Sequence, residues 1–447
     1  MKNSFSSSTE VFCWMEKFIN LERGQSPKSF RLDRMQILAE LAGNPHRCAP
    51  SIHIAGSKGK GSITAMITSV LEAAGFKPAR YMSPHVSDIR ERLCIGNNFF
   101  SEQIFCSAGG ELRDIVDTRL PGLKNELFDA DSGEEPTYFE ILTLYFFICA
   151  RLAECDFMVI ETGMGGRLDS TNIVDPLASV ISLIELEHIK YLGDTIAAVA
   201  GEKAGIVKPG RPLILAKQTG EALEVFIKKA EEMQSPLIYF PDIAEIDETE
   251  ININGTNFTL RFTDGSAPLR FSIPVPGFVQ AENAALAVLA LKTVFPEIKE
   301  TALCVGLANF KLPARFELIS KEPPLVIDGA HTPQSIDQCV QTFCTLYGEN
   351  NILIFGCAAD KNAAEIARYL LPHFSRIIIT TPGTFKASDP DKTFSVFCAG
   401  QPDNKAQVLL IKETRQALRQ ALEWGREKKL AVLCTGSFYL AAEVRNY

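Results

Sequence analysis

Residues 52–55 form a short apolar run, residues 56–62 read Gly-Ser-Lys-Gly-Lys-Gly-Ser, and a helical pattern follows over 63–74 with Gly75 as its stop. A strand, a glycine-rich turn carrying lysine and a helix, in that order, build a phosphate loop. The glycines let backbone N–H groups converge on an anion, the helix N-terminus adds partial positive charge, and Lys60 adds a full one. The spacing is compact: two residues separate Gly56 from Gly59, where the common phosphate loop places about four before its Gly-Lys pair. A flexible surface loop can share this composition, so the flanking strand and helix carry the reading.

The remaining composition narrows the class. A chain of 447 residues exceeds one typical domain and predicts two. Hydrophobic content of 46% with 22% charged residues suits a globular protein. A net charge of −9 argues against a general nucleic-acid binder, yet leaves room for phosphate ligands held by local positive charge. Residues 1–18 are serine-rich, interrupted by Glu10 and Glu16, and lack a signal-peptide core; the longest apolar run, 141–150, is too short to span a bilayer. Twelve cysteines are scattered without a Cys-x-x-Cys pair, which fits reduced thiols. These features predict a cytoplasmic protein with neither membrane nor nucleic-acid partners.

Along the chain, helical patterns at 33–41, 63–74 and 138–152 alternate with strand-like runs at 52–55, 157–160 and 179–184. That alternation predicts a mostly parallel sheet covered by helices. Residues 251–253 and 258–262 alternate apolar and polar across Asn254-Gly255, a hairpin signal that predicts a small antiparallel sheet. A helix over 282–294 follows. A second series has strands at 325–327, 352–355, 376–380 and 430–434, with helices at 363–371 and 413–423. The predicted class is α/β: an N-terminal phosphate-loop domain over 1–309 and a C-terminal open α/β domain over 310–447. The junction falls near Pro313, which helps end the preceding element.

In open α/β sheets, ligands gather at the carboxyl ends of strands. Glu161 ends the 157–160 run and opens Glu161-Thr162-Gly163-Met164-Gly165-Gly166-Arg167-Leu168-Asp169. A carboxylate there, beside a phosphate loop, is placed to hold Mg²⁺; a surface glutamate before a glycine turn gives the same string. His188 follows the 179–184 run, and Ser83 lies in Tyr81-Met82-Ser83-Pro84-His85; alone, each fits a structural role as well. Lys203 lies within Ala200-Gly201-Glu202-Lys203-Ala204-Gly205-Ile206. An exposed helix lysine is its simpler reading. Buried near metal and phosphate, it loses its proton and reacts with CO₂ to give a carbamate. In the second series, Asp328 ends a strand before Gly329-Ala330-His331, Arg315 precedes it, and Asn283 lies on the helix before the junction.

Together these blocks resemble the folylpolyglutamate synthase/dihydrofolate synthase family, within the Mur-ligase superfamily. The resemblance runs from about 32 to 444 and rests on segments 53–62, 81–85, 137–140, 161–173, 200–206, 328–331 and 435–439, in family order. It implies a P-loop ATPase-like N-terminal domain and a Rossmann-like C-terminal glutamate ligase domain. Residue by residue it implies that Lys58, Gly59, Lys60, Gly61 and Ser62 hold ATP, with Asn283, Arg315 and Asp328 reaching the nucleotide across the interdomain cleft. Ser83, Glu161 and His188 match metal ligands for Mg²⁺, Lys203 matches a carbamylated lysine, and His331 joins Lys60 and Lys203 as a catalytic candidate. Phe30, Arg31, Leu32, Thr137, Tyr138, Phe139, Glu140, Leu168, Asp169 and Ser170 match segments that hold the pterin-bearing substrate.

The chain departs from the family pattern at Ser57, Lys58, Val279, Leu312, Ala314 and Thr332, and Arg31 replaces a common glycine in the pterin loop. The implied activity is ATP-dependent addition of L-glutamate to dihydropteroate or a reduced folate by a monomer, with Mg²⁺ and K⁺ as candidate ions. Two alternatives stand: a ligase that joins an amino acid to a cell-wall precursor, and a catalytically silent nucleotide-binding protein.

Overall fold

The computed structural model describes residues 4–23, 30–123, 135–383, 386–400 and 406–447. Its first sheet has eight strands. In chain order these are β1 (Ser51–Ala55), β2 (Pro78–Tyr81), β3 (Leu93–Ile95), β4 (Asn98–Phe99), β5 (Phe157–Glu161), β6 (Ala178–Ile181), β7 (Leu213–Leu215) and β8 (Leu237–Tyr239). The spatial order is β4-β3-β2-β5-β1-β6-β7-β8. Six strands run parallel, and β3 and β4 form an antiparallel edge. β1 and β5 are buried along their whole length, as central strands covered on both faces must be.

The helix after β1, Lys60–Ala73, is buried continuously from Ser62 to Leu71. It lies between the sheet and the helices Phe278–Val294 and Glu300–Asn309. The approach is close at Gly306, where an added Cβ would sit 2.3 Å from the Val70 Cα. Helix Tyr138–Leu152 covers the other face, where Phe146 stacks on Tyr81 at 5.0 Å between centroids. The strand expected over 179–184 stops at Ile181. Residues beyond it leave the sheet to wrap the phosphate loop: Ser57 donates its N–H to the Leu183 carbonyl and its hydroxyl to that of Glu185.

The hairpin expected at Asn254-Gly255 is present, formed by β9 (Ala244–Asn252) and β10 (Gly255–Phe262). A third strand, β11 (Leu269–Ile273), extends it into an antiparallel sheet. Phe258, Leu260, Phe271 and Ile273 point from it into the core. The third sheet has the order β12 (Glu317–Lys321), β13 (Pro324–Ile327), β17 (Val432–Thr435), β14 (Asn351–Phe355), β15 (Phe374–Ile379), β16 (Gln407–Leu410). All but β12 are parallel. The edges β12 and β16 escape the sequence reading: β12 mixes polar and apolar residues, and β16 is a run of only four residues. The third sheet meets the first across a cleft, where Arg445 donates to the Ser87 hydroxyl at 3.2 Å and Val86 packs on the C-terminal core. Among the described residues, no helix is long and apolar enough to cross a membrane.

Candidate active site

The turn after β1 needs its glycines. Gly56 has φ 143°, and a Cβ there would fall 1.8 Å from the Ser182 hydroxyl. Gly59 has φ 84°, and its Cβ would fall 2.2 Å from the Asn283 Oδ1. Backbone and neighbour thus both exclude a side chain. Ser182 also donates to the Lys58 carbonyl, which ties the loop to the end of β6. Asn283, buried on its helix, accordingly lies against the phosphate loop, its amide steadied by Gln280.

Two ammonium groups converge on one carbonyl. Lys60 Nζ donates to the Gly56 oxygen at 2.9 Å and Lys203 Nζ to the same oxygen at 2.8 Å. Lys203 is 1% exposed and also pairs with Glu187 at 2.7 Å. Burial, with Lys60 and Lys58 nearby, draws the Lys203 ammonium down to about 8, although Glu187 opposes this. Burial alone would raise the Glu187 carboxyl, but Lys60, Lys203 and Lys58 bring it to about 2. The exposed-helix reading of Lys203 is therefore excluded. Glu187 is the partner that sequence reasoning missed; its signal was a carboxylate directly before His188.

Glu161 ends β5 with its carboxylate against the loop, 3.5 Å from where a Cβ on Gly61 would stand. It accepts the Ser83 N–H at 3.2 Å. Burial pushes it up to about 7, partly offset by Lys60, the Ser83 N–H and Arg315. His188 stands at the open rim with φ 47°. Partial desolvation by the surrounding protein and the cations Lys60, Lys203 and Lys361 outweigh Glu187 and lower the imidazole to about 4, although the residue as a whole is exposed. It is therefore neutral at neutral pH, with one ring-nitrogen lone pair available to a cation.

The third sheet contributes the far wall. Asp328, at the end of β13, accepts the N–H groups of Phe316 at 2.8 Å and Ala330 at 2.7 Å, joining the Arg315 turn to the His331 turn. Arg315 lies over the Phe438 ring at 4.2 Å and is drawn electrostatically to Asp328 and Glu161. His331 Nδ1 meets the Gly329 carbonyl at 2.8 Å. A carbonyl only accepts, so Nδ1 carries the proton and Nε2 keeps its lone pair. Burial, Lys58 and Lys361 hold this ring at about 3. Lys361, absent from the sequence reading, thus belongs to the same field.

The expected pterin-side residues divide. Phe139 lies beneath the turn after Glu161, since a Cβ on Gly163 would meet its ring at 2.3 Å. Phe30 meets Tyr191 edge to face at 5.6 Å, Arg31 pairs with Asp33 at 2.6 Å, and Leu32 opens its helix. Leu168 is half-buried and Ser170 buried beside Asp169. Two carboxylates expected to contact substrate are engaged within the protein. Glu140 caps its own helix through Thr137 and pairs with Arg34 at 2.8 and 3.0 Å, both side chains buried. Asp169 accepts from Met164 N–H and from both the N–H and the hydroxyl of Thr171. Tyr138 belongs to the apolar core, 5% exposed. Internal hydrogen bonds hold the Glu140 and Asp169 carboxylates, and packing holds the Tyr138 ring.

Residues 112–291 match the Mur ligase middle domain, and residues 314–438 match the Mur ligase glutamate ligase domain. The chain is 30% identical to a dihydrofolate synthase/folylpolyglutamate synthase of Bacillus subtilis, over 93% of this chain and 94% of the relative. It is 31% identical to the folylpolyglutamate synthase of Lacticaseibacillus casei over 98% of both chains. The structure of Mycobacterium tuberculosis folylpolyglutamate synthase complexed with ADP and AMPPCP superposes with a TM-score of 0.85 at 25% identity, covering 98% of this chain and 97% of that one. A phosphate loop faced by a second α/β unit, together with these likenesses, shows that the chain belongs to the folylpolyglutamate synthase/dihydrofolate synthase family of Mur ligases.

Proposed function

We propose that this chain is an ATP-dependent acid–amino-acid ligase that adds L-glutamate to the carboxylate of dihydropteroate or a reduced folate. The observation that carries the reading is the junction of Lys60, Lys203 and Glu161 at one loop, with Arg315 and His331 facing them from the third sheet. Pure nucleotide binding does not need a buried lysine–glutamate pair or a carboxylate pushed toward neutrality behind the phosphate loop. Residues 1–309 form the ATP-binding part and 310–447 the glutamate ligase part.

The folate-side carboxylate oxygen attacks the γ-phosphorus of ATP, the bond to the β-bridging oxygen breaks, and ADP leaves an acyl phosphate. The glutamate amine then attacks the acyl carbon, expelling phosphate and losing a proton. Activation is required because a carboxylate is a poor electrophile. Lys58, Gly59, Lys60, Gly61 and Ser62 cradle the phosphates, and Lys60 swings from the Gly56 carbonyl to a phosphoryl oxygen as charge develops. Asn283, Arg315 and Asp328 hold the nucleotide across the cleft. His331 Nε2 accepts the amine proton, its basicity restored when anionic substrates offset Lys58 and Lys361. Phe30, Arg31, Leu32, Phe139, Leu168 and Ser170 border the pterin side.

Ser83, Glu161 and His188 fit Mg²⁺: two oxygen donors and a neutral imidazole, with the Thr162 hydroxyl buried without a partner beside Glu161. These residues would hold Mg²⁺, which would supply positive charge for the transferring phosphoryl group. Lys203, its ammonium weakened by burial, is suited to carbamylation, which turns a cation beside the metal into an anion. K⁺ is a further candidate ion, and the reading takes the protein as a cytoplasmic monomer. A substrate panel tests the assignment. ADP release should require a pteroyl acid and L-glutamate together; release with glutamate and a cell-wall precursor, or none with any acid, refutes it.

A further inference from the structure

Away from the phosphate loop, three metal-ligating side chains meet at the third sheet. Cys344 stands in the last turn of the Pro333–Tyr347 helix, Glu349 in the turn that follows, and His373 directly before β15. One ligand atom from each lies within 4.8 Å of the other two. His373 Nδ1 and Glu349 Oε2 are 2.9 Å apart.

The framework around them is fixed. Phe343 rests on Phe374 with centroids 5.8 Å apart, so the residues next to them, Cys344 and His373, are held on adjoining elements. Gly348 donates its N–H to the Cys344 carbonyl at 2.9 Å, and Asn350 donates to the His373 carbonyl at 2.8 Å. These bonds close the Glu349 turn onto both neighbours. The turn needs left-handed backbone on each side of Glu349, at Gly348 (φ 74°) and Asn350 (φ 64°). Cys344 is half-buried, while the His373 and Glu349 side chains are 33% and 53% exposed, leaving a path from solvent.

A thiolate, an imidazole and a carboxylate suit zinc-class ions, whereas Mg²⁺ and Ca²⁺ take oxygen ligands. Tetrahedral bonds of about 2.0–2.3 Å place donor atoms roughly 3.3–3.7 Å apart. That lies inside the observed envelope and asks only for side-chain rotation. We propose that Cys344, Glu349 and His373 bind one zinc-class divalent ion, with water as the fourth ligand. Coordination releases the Cys344 thiol proton to solvent and involves no electron transfer. The site sits where β14 and β15 begin, at the Asn351–Phe374 pairing. The candidate active site lies at the opposite, carboxyl ends of the strands. The ion therefore clips helix to sheet and leaves ligation chemistry untouched.

The test uses the full chain with Co²⁺ as a spectroscopic probe and Zn²⁺ as competitor. The expected result is a thiolate-to-cobalt charge-transfer band that Zn²⁺ abolishes. Cys344→Ser should remove it, and His373→Gln and Glu349→Gln should each weaken binding by at least about tenfold. All three variants should keep ligase turnover. Eleven other cysteines remain (12 − 1), so Cys344→Ser is the deciding control. No band in the wild type, or a band that survives Cys344→Ser, overturns the proposal. Glu349→Gln, at an exposed turn, serves if the cysteine variant folds poorly.

Discussion

Glu140 decides whether the 137–140 segment touches substrate or holds the protein together. Its carboxylate accepts two bonds from Arg34, at 2.8 and 3.0 Å, and the Thr137 N–H at 2.6 Å. The Arg34 and Glu140 side chains are 3% and 4% exposed. Glu140→Ala takes two hydrogen bonds and a compensating charge from a buried guanidinium, a loss of about 3–5 kcal/mol, and removes half of a capping box, about a further 1 kcal/mol. Arg34→Met leaves the carboxylate as the uncompensated partner and costs a similar amount. Arg34→Met combined with Glu140→Leu replaces both charges with apolar volume and should recover most of the pair's share. Urea unfolding of the N-terminal part, followed as a double-mutant cycle, should give a coupling of about 2–3 kcal/mol. A Glu140→Ala protein that loses under about 1 kcal/mol, while its KM for the pteroyl substrate rises many-fold, would show that the carboxylate is a ligand and refute the scaffold assignment.

Three further outcomes are expected. Lys60→Ala should lower turnover by at least about two orders of magnitude in a folded protein; near-normal rates would remove the phosphate-loop role. Glu161→Ala and His188→Ala should each raise the Mg²⁺ requirement or abolish turnover while pteroyl binding persists, and wild-type behaviour across a magnesium titration would contradict the metal assignment. Lys203 stands at about 8 in the folded protein against an ordinary 10.5. The unfolded chain therefore binds a proton that the native chain lacks between those values, and unmodified protein kept free of CO₂ should gain stability as pH rises through that window. At fixed dissolved CO₂, activation should fall as pH drops below about 8. Lys203→Arg should be inactive despite its charge, and an active variant would exclude the carbamate.

The alternating runs at 52–55, 138–152 and 157–160 were legible because buried parallel strands and a helix buried over most of its length leave continuous apolar sequence. The edge β12 was not, because a half-exposed strand carries mixed residues, and the apolar Val408-Leu409-Leu410 of β16 is too short a run to stand out. In the site, the glycines and Lys60 announce themselves by type. Glu187 did not, since nothing in a Glu-Leu-Glu-His run says which carboxylate turns inward. The Thr-x-x-Glu form of residues 137–140 already spelled a capping box. Its partner Arg34, however, lies 106 residues away, and a contact at that separation belongs to the tertiary fold rather than to any local pattern. Lys361 was missed for the same reason: its influence on Lys58, His188 and His331 is electrostatic and comes from a distant part of the chain.

Oxygen transfer tests the proposed chemistry most directly. The pteroyl substrate is labelled with ¹⁸O in the reacting carboxylate and turned over with ATP and L-glutamate. Attack of that carboxylate on the γ-phosphorus leaves one labelled oxygen in the phosphate released when the amide forms. The account predicts one ¹⁸O in each inorganic phosphate, matched one to one with amide product. Unlabelled phosphate accompanying amide formation would contradict the acyl phosphate, and with it the mechanism proposed here.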